Sequence, residues 1–259
     1  MRFFKIIRDI LLYIATCAIL LWLIRRGADQ MGYSWHWRQI PKYLYTVNEG
    51  SFLAGPLLQG LWVTIRITVA SLFWAGAIGL LTALLRLSSS PVARVLSRLY
   101  LETIRNTPLL VQIFFLYFAM APVLNMDRMT TAILALSLFE GAYASEIFRS
   151  GILSISRGQW EACYSLGLTR MQSYRYIILP QALRRIIPPL TSQAVSLIKD
   201  SSLVSTIAVY ELTMQGRTII ADTFLTFEIW IVVAAIYLVL TLALSVTASL
   251  LAKRSLKAA

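Results

Sequence analysis

Six apolar runs constrain this chain most strongly, since each approaches or exceeds the length that a helix needs to cross a bilayer. The runs cover residues 10–24, 61–85, 107–124, 129–148, 186–209 and 229–252. Of the 259 residues, 58% are hydrophobic and only 14% are charged, and the mean hydropathy is +0.69. A soluble domain of this length carries far more charge. The sequence therefore predicts an all-α membrane protein, without a polar stretch long enough to fold separately.

The first apolar run is short, with basic residues before it and Arg25 and Arg26 directly after it. A cleaved signal peptide would have such a basic start. Because no small-x-small cleavage site follows, we expect a retained helix instead. Tryptophan and tyrosine then cluster in residues 33–45, where rings of this kind favour an anchor at the membrane interface over a ligand site.

The positions of the basic residues predict an orientation. If the amino terminus is cytoplasmic and all six runs cross, sixteen of the 24 lysines and arginines lie in cytoplasmic segments and six in external ones. These cytoplasmic segments are 1–9, 86–106, 149–185 and 253–259. The bias follows the positive-inside rule. The net charge of +12 then reflects topology rather than nucleic-acid binding, and both termini are expected in the cytoplasm.

Few residues here suit metal binding or catalysis. Cys17 and Cys163 are expected to be reduced, and His36 is the only histidine, which disfavours histidine-rich metal sites and Ser-His or Cys-His catalysis. We expect no metal site and no catalytic residues. The sequence has no G-x-x-x-x-G-K-[ST] motif to cradle phosphates. If ATP drives this protein, another chain must bind and hydrolyse it.

A polar stretch between the fourth and fifth runs, EACYSLGLTRMQSYRYIILP at residues 161–180, predicts a defined structure. Ser156 and Gln159 fit a capping box at the start of a short helix. Glu161 is expected in the first turn of that helix, where a negative charge suits the dipole. Gly167 is placed to end it, because glycine adopts the left-handed conformation at little cost.

A second short helix is predicted directly after the first. Thr169 and Gln172 repeat the capping signature, and Pro180 is expected to end this helix. The result is a helix–turn–helix bracket that projects from the membrane. From these residues alone, the bracket is either a connector packed on the protein's own underside or a docking site for another protein.

The bracket resembles the cytoplasmic signature of permease subunits of bacterial ABC importers. That signature runs Glu-Ala-Ala, three residues, Gly, nine residues, then Ile-x-Leu-Pro. The matching positions here are Glu161, Ala162, Cys163, Gly167, Ile177, Leu179 and Pro180. Cys163 in place of the second alanine is the one departure. Segments 104–112, 141–152 and 196–212 resemble the polar amino-acid branch of this family, the histidine, glutamine and glutamate type.

This resemblance implies a type I importer permease fold over residues 57–259, with a five-helix core and a cytoplasmic coupling loop at 150–185. Residues 1–56 would add one N-terminal transmembrane helix and a periplasmic aromatic segment. Two permease subunits, identical or homologous, would form the pore in the bacterial inner membrane. Two ATP-binding subunits would dock beneath them and hold the ATP, so that this chain needs no cofactor. A periplasmic or lipid-anchored protein would deliver a polar amino acid.

Polar residues in the fifth run are candidates for a substrate path, because charged groups inside a membrane usually face a cavity or a partner. Lys199, Asp200 and Ser201 lie in the middle of that run. The structural alternative is a mutual Lys199–Asp200 ion pair that seals a break in the helix. Gln193 shares a face with Asp200 at a spacing of seven. An amide there, in place of a carboxylate, favours neutral or polar substrates.

Hydroxyl residues in the second run form another candidate. Thr64, Thr68 and Ser71 share one helix face and could line the same path, or could bond back to their own helix. In the fourth run, Glu146 and Arg149 are expected to form a structural ion pair or an interface contact. Glu140, deeper in that run, lies on a different face, and one buried acid is weak evidence for a proton relay.

The leading hypothesis is an ATP-driven importer permease for polar amino acids. The main rival is an ion-gradient-driven transporter or channel, favoured by Glu140 and by Lys199–Asp200 but needing no bracket. A membrane enzyme ranks third. The sequence leaves open which amino acid is carried, whether the second permease subunit is identical, and whether this subunit binds substrate itself.

Overall fold

The structure is a computed structural model that describes residues 2–30, 32–48 and 51–257. It divides into two compact units, residues 1–39 and 40–259. The domain boundary predicted between residues 56 and 57 stays a prediction. Ile40 and Tyr43 already pack in a hydrophobic cluster of the second unit with Leu57.

The first unit is one long helix followed by a short aromatic segment. Helix α1 spans Arg2–Gln30, so the first apolar run is helical, as expected. Beyond it, the rings of Trp35 and Trp37 stack with their centroids 5.7 Å apart, and a single 3₁₀ turn covers Trp37–Gln39.

The second unit is mainly helical. It begins with α2 Pro41–Leu44, β1 Tyr45–Asn48 and β2 Ser51–Ala54, followed by α3 Pro56–Leu87, α4 Pro91–Arg105, α5 Leu109–Phe114 and α6 Ala121–Leu124. It continues with α7 Arg128–Leu153, α8 Arg157–Ser165, α9 Arg170–Ser173, α10 Leu179–Asp200, α11 Leu212–Thr223 and α12 Thr226–Lys257. The antiparallel hairpin β1–β2, which pairs Tyr45 with Ala54, was not expected in an all-α fold.

Within the described residues, four helical segments are long and apolar enough to cross a membrane. They are Ile7–Gly27, Pro56–Leu87, Arg128–Leu153 and Thr226–Thr247, and the bent pair of α4 with Leu109–Leu124 makes five if it is one span. Helix α10, which covers most of the fifth run, is not among them, and its residues include four charged side chains and two internal prolines. The predicted six crossings therefore stay a prediction.

Helices α3 and α7 form the centre of the second unit, and small residues let them approach closely. A Cβ atom on Gly79 of α3 would lie 2.8 Å from the Ala144 Cβ and 3.0 Å from the backbone O of Gly141 on α7. Close approach through small residues is how helices associate where no water drives them together. An apolar cluster that includes Ile67, Ile113 and Leu136 fills the space beside this contact.

Three helix ends meet at Glu146 near the end of α7. Its carboxylate accepts from Arg86 of α3 at 2.5 Å and from Arg105 of α4 at 3.2 Å. The expectation of a Glu146–Arg149 pair is therefore wrong in its partner. Arg149 lies three residues after Glu146 on the same helix, but arginines from two other helices pair with Glu146 instead. Spacing within the sequence does not reveal such tertiary partners.

Candidate functional site

The bracket, defined as residues 154–181, has helix boundaries close to the predicted ones. Helix α8 begins after Ser156 and ends at Ser165. Gly167 adopts a left-handed φ of +72°. Its N–H donates to the Tyr164 O at 3.0 Å, and the Leu168 N–H donates to the Cys163 O at 3.0 Å. This pair of bonds is a Schellman motif, so Gly167 ends α8 as predicted.

One of the two predicted capping boxes is present. The Thr169 side chain accepts from the Gln172 N–H, and the Gln172 side chain accepts from the Thr169 N–H at 2.8 Å. The box predicted at Ser156 is wrong, because Ser156 makes no side-chain cap. Its expected partner, Gln159, accepts a hydrogen bond from Gln181 at 2.9 Å instead.

Two further expectations about the bracket need correction. Glu161 lies in the second turn of α8, since that helix begins at Arg157. Pro180 does not end the second helix but stands in the first turn of α10. The segment Tyr174–Ile178, which joins α9 to α10, is π-helical. This wider turn lets the chain continue past a proline, which has no N–H to donate to the preceding turn.

A small core fixes the bracket to the membrane helices. Ile155, Ile178 and Ile186 are buried together, and the Trp160 ring meets the Tyr174 ring edge-on with centroids 4.9 Å apart. In addition, the Arg185 guanidinium donates to the backbone O of Ser154. The bracket is thus packed against α10, which makes it a preorganised element rather than a loose loop.

The turn of the bracket carries an exposed apolar tip, formed by Tyr164, Leu166 and Met171. Leu166 is 77% exposed and Met171 is 76% exposed. Apolar side chains presented together in this way mark an interaction site. None of these three residues was predicted to be functional. The sequence does contain a pattern that indicates them, because all three are large apolar residues that flank the helix-ending glycine in a polar loop.

The residues of the importer signature divide by location. Cys163 is buried, and Gly167 sets the turn. Glu161, Ala162, Leu179 and Pro180 are exposed, while Ile177 is partly buried. Because Cys163 is buried, a small apolar residue satisfies the position, which accounts for cysteine in place of alanine. Their role in coupling stays a prediction.

A cavity of about 400 Å³ lies between α3, α7, α10 and α12. Its wall is mostly apolar, and its polar side chains are Glu140, Thr191, Gln193 and Thr247. The Thr191 hydroxyl donates to the Ile187 O at 3.0 Å, and the Thr247 hydroxyl bonds its own helix similarly. Glu140 and Gln193 therefore present the polar groups available to a ligand.

Glu140 lies midway along α7 and is 4% exposed. Within the described part of the chain, its carboxylate makes no hydrogen bond or ion pair. A buried carboxylate without a protein partner is costly, and here it lines a cavity. A carboxylate is thus present in the cavity that Gln193 lines, which the sequence did not predict, and the preference for neutral or polar substrates stays a prediction. Spacing within one helix could not show this contact between α7 and α10.

The other predicted path residues of the fifth run do not line this cavity, although Asp200 lies close enough to Glu140 to interact with it electrostatically. Lys199 is exposed and Asp200 is half-buried, and no ion pair joins these two described residues. The mutual ion pair is therefore wrong, although the helix does break here, because α10 ends at Asp200 and a 3₁₀ helix follows over Ser201–Ile207. Ser201 is buried and donates to the Ile198 O at 2.7 Å.

Thr64 and Thr68 lie inside the subunit rather than at the cavity. The Thr68 hydroxyl donates to the Thr64 O at 2.8 Å, which is the backbone bonding that the sequence left open. Thr64 also bonds the Gly60 O and accepts from the Leu212 N–H at 3.2 Å. Both threonines thus serve helix packing here, and a place for them in a substrate path stays a prediction.

The apolar helices, the cavity and the projecting bracket together define a multi-pass membrane transport subunit. Residues 75–257 match the family described as "Binding-protein-dependent transport system inner membrane component". The chain belongs to this family, which confirms the resemblance found in the sequence. It is accordingly a membrane-embedded transport component and not an enzyme.

Characterised relatives agree with this family. The chain is 43% identical over 192 residues to the glutamine transport system permease protein GlnP of Escherichia coli strain K12, covering 73% of this chain and 88% of the relative. It is 41% identical over 205 residues to the L-cystine transport system permease protein TcyB of Bacillus subtilis strain 168, covering 77% and 86%. Neither match supports the ion-gradient-driven alternative.

Solved structures share the fold. The crystal structure of an amino acid ABC transporter with histidines superposes with a TM-score of 0.72 and 36% identity, over 77% of this chain and 94% of that one. The inward-facing methionine transporter MetNI superposes with a TM-score of 0.65 at 18% identity, over 77% and 95%. The expected type I importer permease fold is thereby confirmed.

Proposed function

We propose that this chain is the permease subunit of an ATP-driven importer of polar amino acids, and that its bracket couples it to ATP-binding subunits. The observation that carries this proposal is the apolar tip, which a rigid turn and a buried core hold away from the membrane helices. A connector would gain nothing from exposing Leu166 and Met171, whereas a docking element needs such side chains.

The amino-acid substrate is supported by the transport names of the relatives and by the chemistry of the cavity. A buried carboxylate pairs well with an ammonium group. A side-chain amide both donates and accepts hydrogen bonds, which suits a polar amino acid. In this proposal Glu140 receives the α-ammonium group and Gln193 contacts the polar remainder.

The remaining parts of the proposed assembly follow from the family. Two ATP-binding subunits contact two permease subunits, identical or homologous, and a periplasmic or lipid-anchored binding protein delivers the amino acid. The bracket faces the cytoplasm, and both termini lie on that side of the bacterial inner membrane. The distribution of basic residues supports this orientation. ATP is held by the partner, so this chain carries no cofactor.

Affinity purification of the tagged chain from its host in mild detergent tests the coupling role. The informative variant is Leu166→Asp with Met171→Asp, which places charge on the tip without altering the buried core. Val123→Asp is the control, because Val123 is 77% exposed but belongs to α6, away from the bracket.

We expect an ATP-hydrolysing subunit to co-purify with the wild type and with the control but not with the tip variant. In vesicles containing the binding protein, the wild type and the control should take up the amino acid, whereas the tip variant should not. Equal recovery of the ATP-hydrolysing subunit with all three proteins would contradict the proposal.

A further inference from the structure

Helix α4 presents three faces, and one of them packs on the rest of the subunit. Ser97 and Leu101 are buried, and the Tyr100 hydroxyl donates to the backbone O of Leu138 on α7 at 2.6 Å. The Arg105–Glu146 pair holds the carboxyl end of α4. This helix is therefore fixed along its length rather than hanging free.

The second face of α4 is an apolar stripe at the helical spacing of three and four residues. It consists of Val92, Val95, Leu96 and Leu99, and each is between 59% and 65% exposed. The hydrocarbon groups of four neighbouring residues thus form a continuous surface that no described residue covers. Such a surface marks contact with a partner or a membrane.

The third face carries arginine. Arg94 and Arg98 are four residues apart, so they lie on one side of the helix, next to the apolar stripe. The Arg94 guanidinium donates to the backbone O of Ser89 at 3.3 Å, and Arg98 makes no ion pair within the described residues. Glu102, four residues beyond Arg98 on that side, accepts from the Asn106 side chain at 2.8 Å and pairs with neither arginine among the described residues. Two exposed cations without an ion pair therefore border the apolar stripe.

The placement of α4 suits the edge of a membrane. It is bent by 106° from the following Leu109–Leu124 segment, so it runs nearly at right angles to that segment. Through Glu146 it is tied to the ends of α3 and α7, the end from which the bracket also extends. An amphipathic helix lying in this plane meets acyl chains on its apolar side and headgroups on its basic side.

We propose that α4 is an interfacial helix that binds anionic phospholipid, with its apolar stripe among the acyl chains and Arg94 and Arg98 at the lipid phosphates. Long arginine side chains reach headgroups while their stems stay in apolar surroundings. A leaflet rich in anionic lipid supplies partners for these two unpaired guanidinium groups. The binding site lies outside the cavity and the bracket, so it goes beyond the proposed transport function.

The test uses the complete complex in lipid vesicles. A fluorophore is attached at Leu99→Cys in a chain that also carries Cys17→Ser and Cys163→Ala. Its quenching is measured with nitroxide-labelled phosphatidylglycerol and, separately, with nitroxide-labelled phosphatidylcholine. The variants are Arg98→Gln and Arg94→Gln with Arg98→Gln. Arg217→Gln, an exposed arginine on α11, is the matched control.

We expect phosphatidylglycerol to quench more strongly than phosphatidylcholine. This preference should fall about fivefold for each arginine removed, should weaken at high salt, and should persist in Arg217→Gln. Equal quenching by both lipids would overturn the proposal. So would protection from both lipids, since a protein would then cover the stripe. The readout needs no transport, so failure of the proposed function would not be mistaken for failure here.

Discussion

The Tyr237 hydroxyl of α12 donates a hydrogen bond to the Glu211 carboxylate at 2.8 Å. Glu211 is fully buried and precedes α11, where it also accepts from the Thr213 N–H at 2.9 Å and the Met214 N–H at 2.8 Å. One carboxylate thus caps α11 and ties it to α12, and Thr64 of α3 lies 3.4 Å away.

Tyr237→Phe should lower the free energy of unfolding by about 1–3 kcal/mol, because a buried carboxylate loses a donor. Thermal unfolding in detergent measures the change. The control is Tyr210→Phe, since Tyr210 neighbours Glu211 in sequence but is exposed, and its loss should stay within about 0.5 kcal/mol. Equal destabilisation by both changes would show that this hydrogen bond contributes nothing specific.

Glu146→Gln should destabilise the subunit by about 1 kcal/mol, because it leaves Arg86 and Arg105 without their carboxylate. The loss is small because all three side chains are partly exposed and solvent screens such pairs. Arg149→Gln removes the partner suggested by sequence spacing and should change stability by less than about 0.5 kcal/mol. A larger loss for Arg149→Gln than for Glu146→Gln would reverse the assignment.

Gly167→Ala should loosen the bracket, because an L side chain at a left-handed φ costs about 1–2 kcal/mol. Hydrogen exchange of the amides at the end of α8 should then speed up about 5- to 30-fold. Gly158→Ala is the matched control, since Gly158 lies within α8 with open space around it. There alanine should slow exchange instead. No change at Gly167→Ala would mean that the turn carries no such strain.

Glu140→Gln should raise the KM for amino-acid uptake at least about tenfold, because a charge-assisted contact is lost in a buried site. Uptake into vesicles over a range of amino-acid concentrations gives the value. Asp222→Asn, which neutralises an exposed carboxylate on α11, should leave KM unchanged. An unaltered KM in Glu140→Gln would remove this residue from the substrate path.

Gln193→Glu probes the part of the same cavity that α10 lines. A second carboxylate beside Glu140 should shift the preference towards cationic amino acids, since two negative charges are then available. Competition between cationic and neutral amino acids during uptake measures the shift. An unchanged preference would indicate that Gln193 does not contact the substrate.

Local patterns in the sequence predicted what local forces decide. The end of α8 at Gly167 and the capping box at Thr169 depend on residues within a few positions. The spacing of residues in the sequence was therefore sufficient to predict both features. The apolar runs likewise located most of the long helices. Where two local partners compete with a distant one, as at Gln159 and Glu146, the sequence pattern indicated the wrong contact.

Contacts between distant helices account for the rest. Glu140 and Gln193 are more than fifty positions apart, and only the packing of α7 against α10 brings them to one cavity. The contacts of Thr64 depend in the same way on α11, since the Leu212 N–H donates to its hydroxyl at 3.2 Å. The sequence contains the apolar residues of the tip, but it does not reveal that they are exposed, since their exposure depends on how the bracket packs.

Site-specific photocrosslinking at Met171 shows whether the bracket contacts an ATP-binding subunit. A photoactivatable residue is placed at Met171, or at Val123 as the control, in the complete complex within native membranes. We expect an adduct between position 171 and an ATP-binding subunit, and no such adduct from position 123. If position 171 yields only lipid adducts, or position 123 labels the ATP-binding subunit equally, the bracket is not the coupling element.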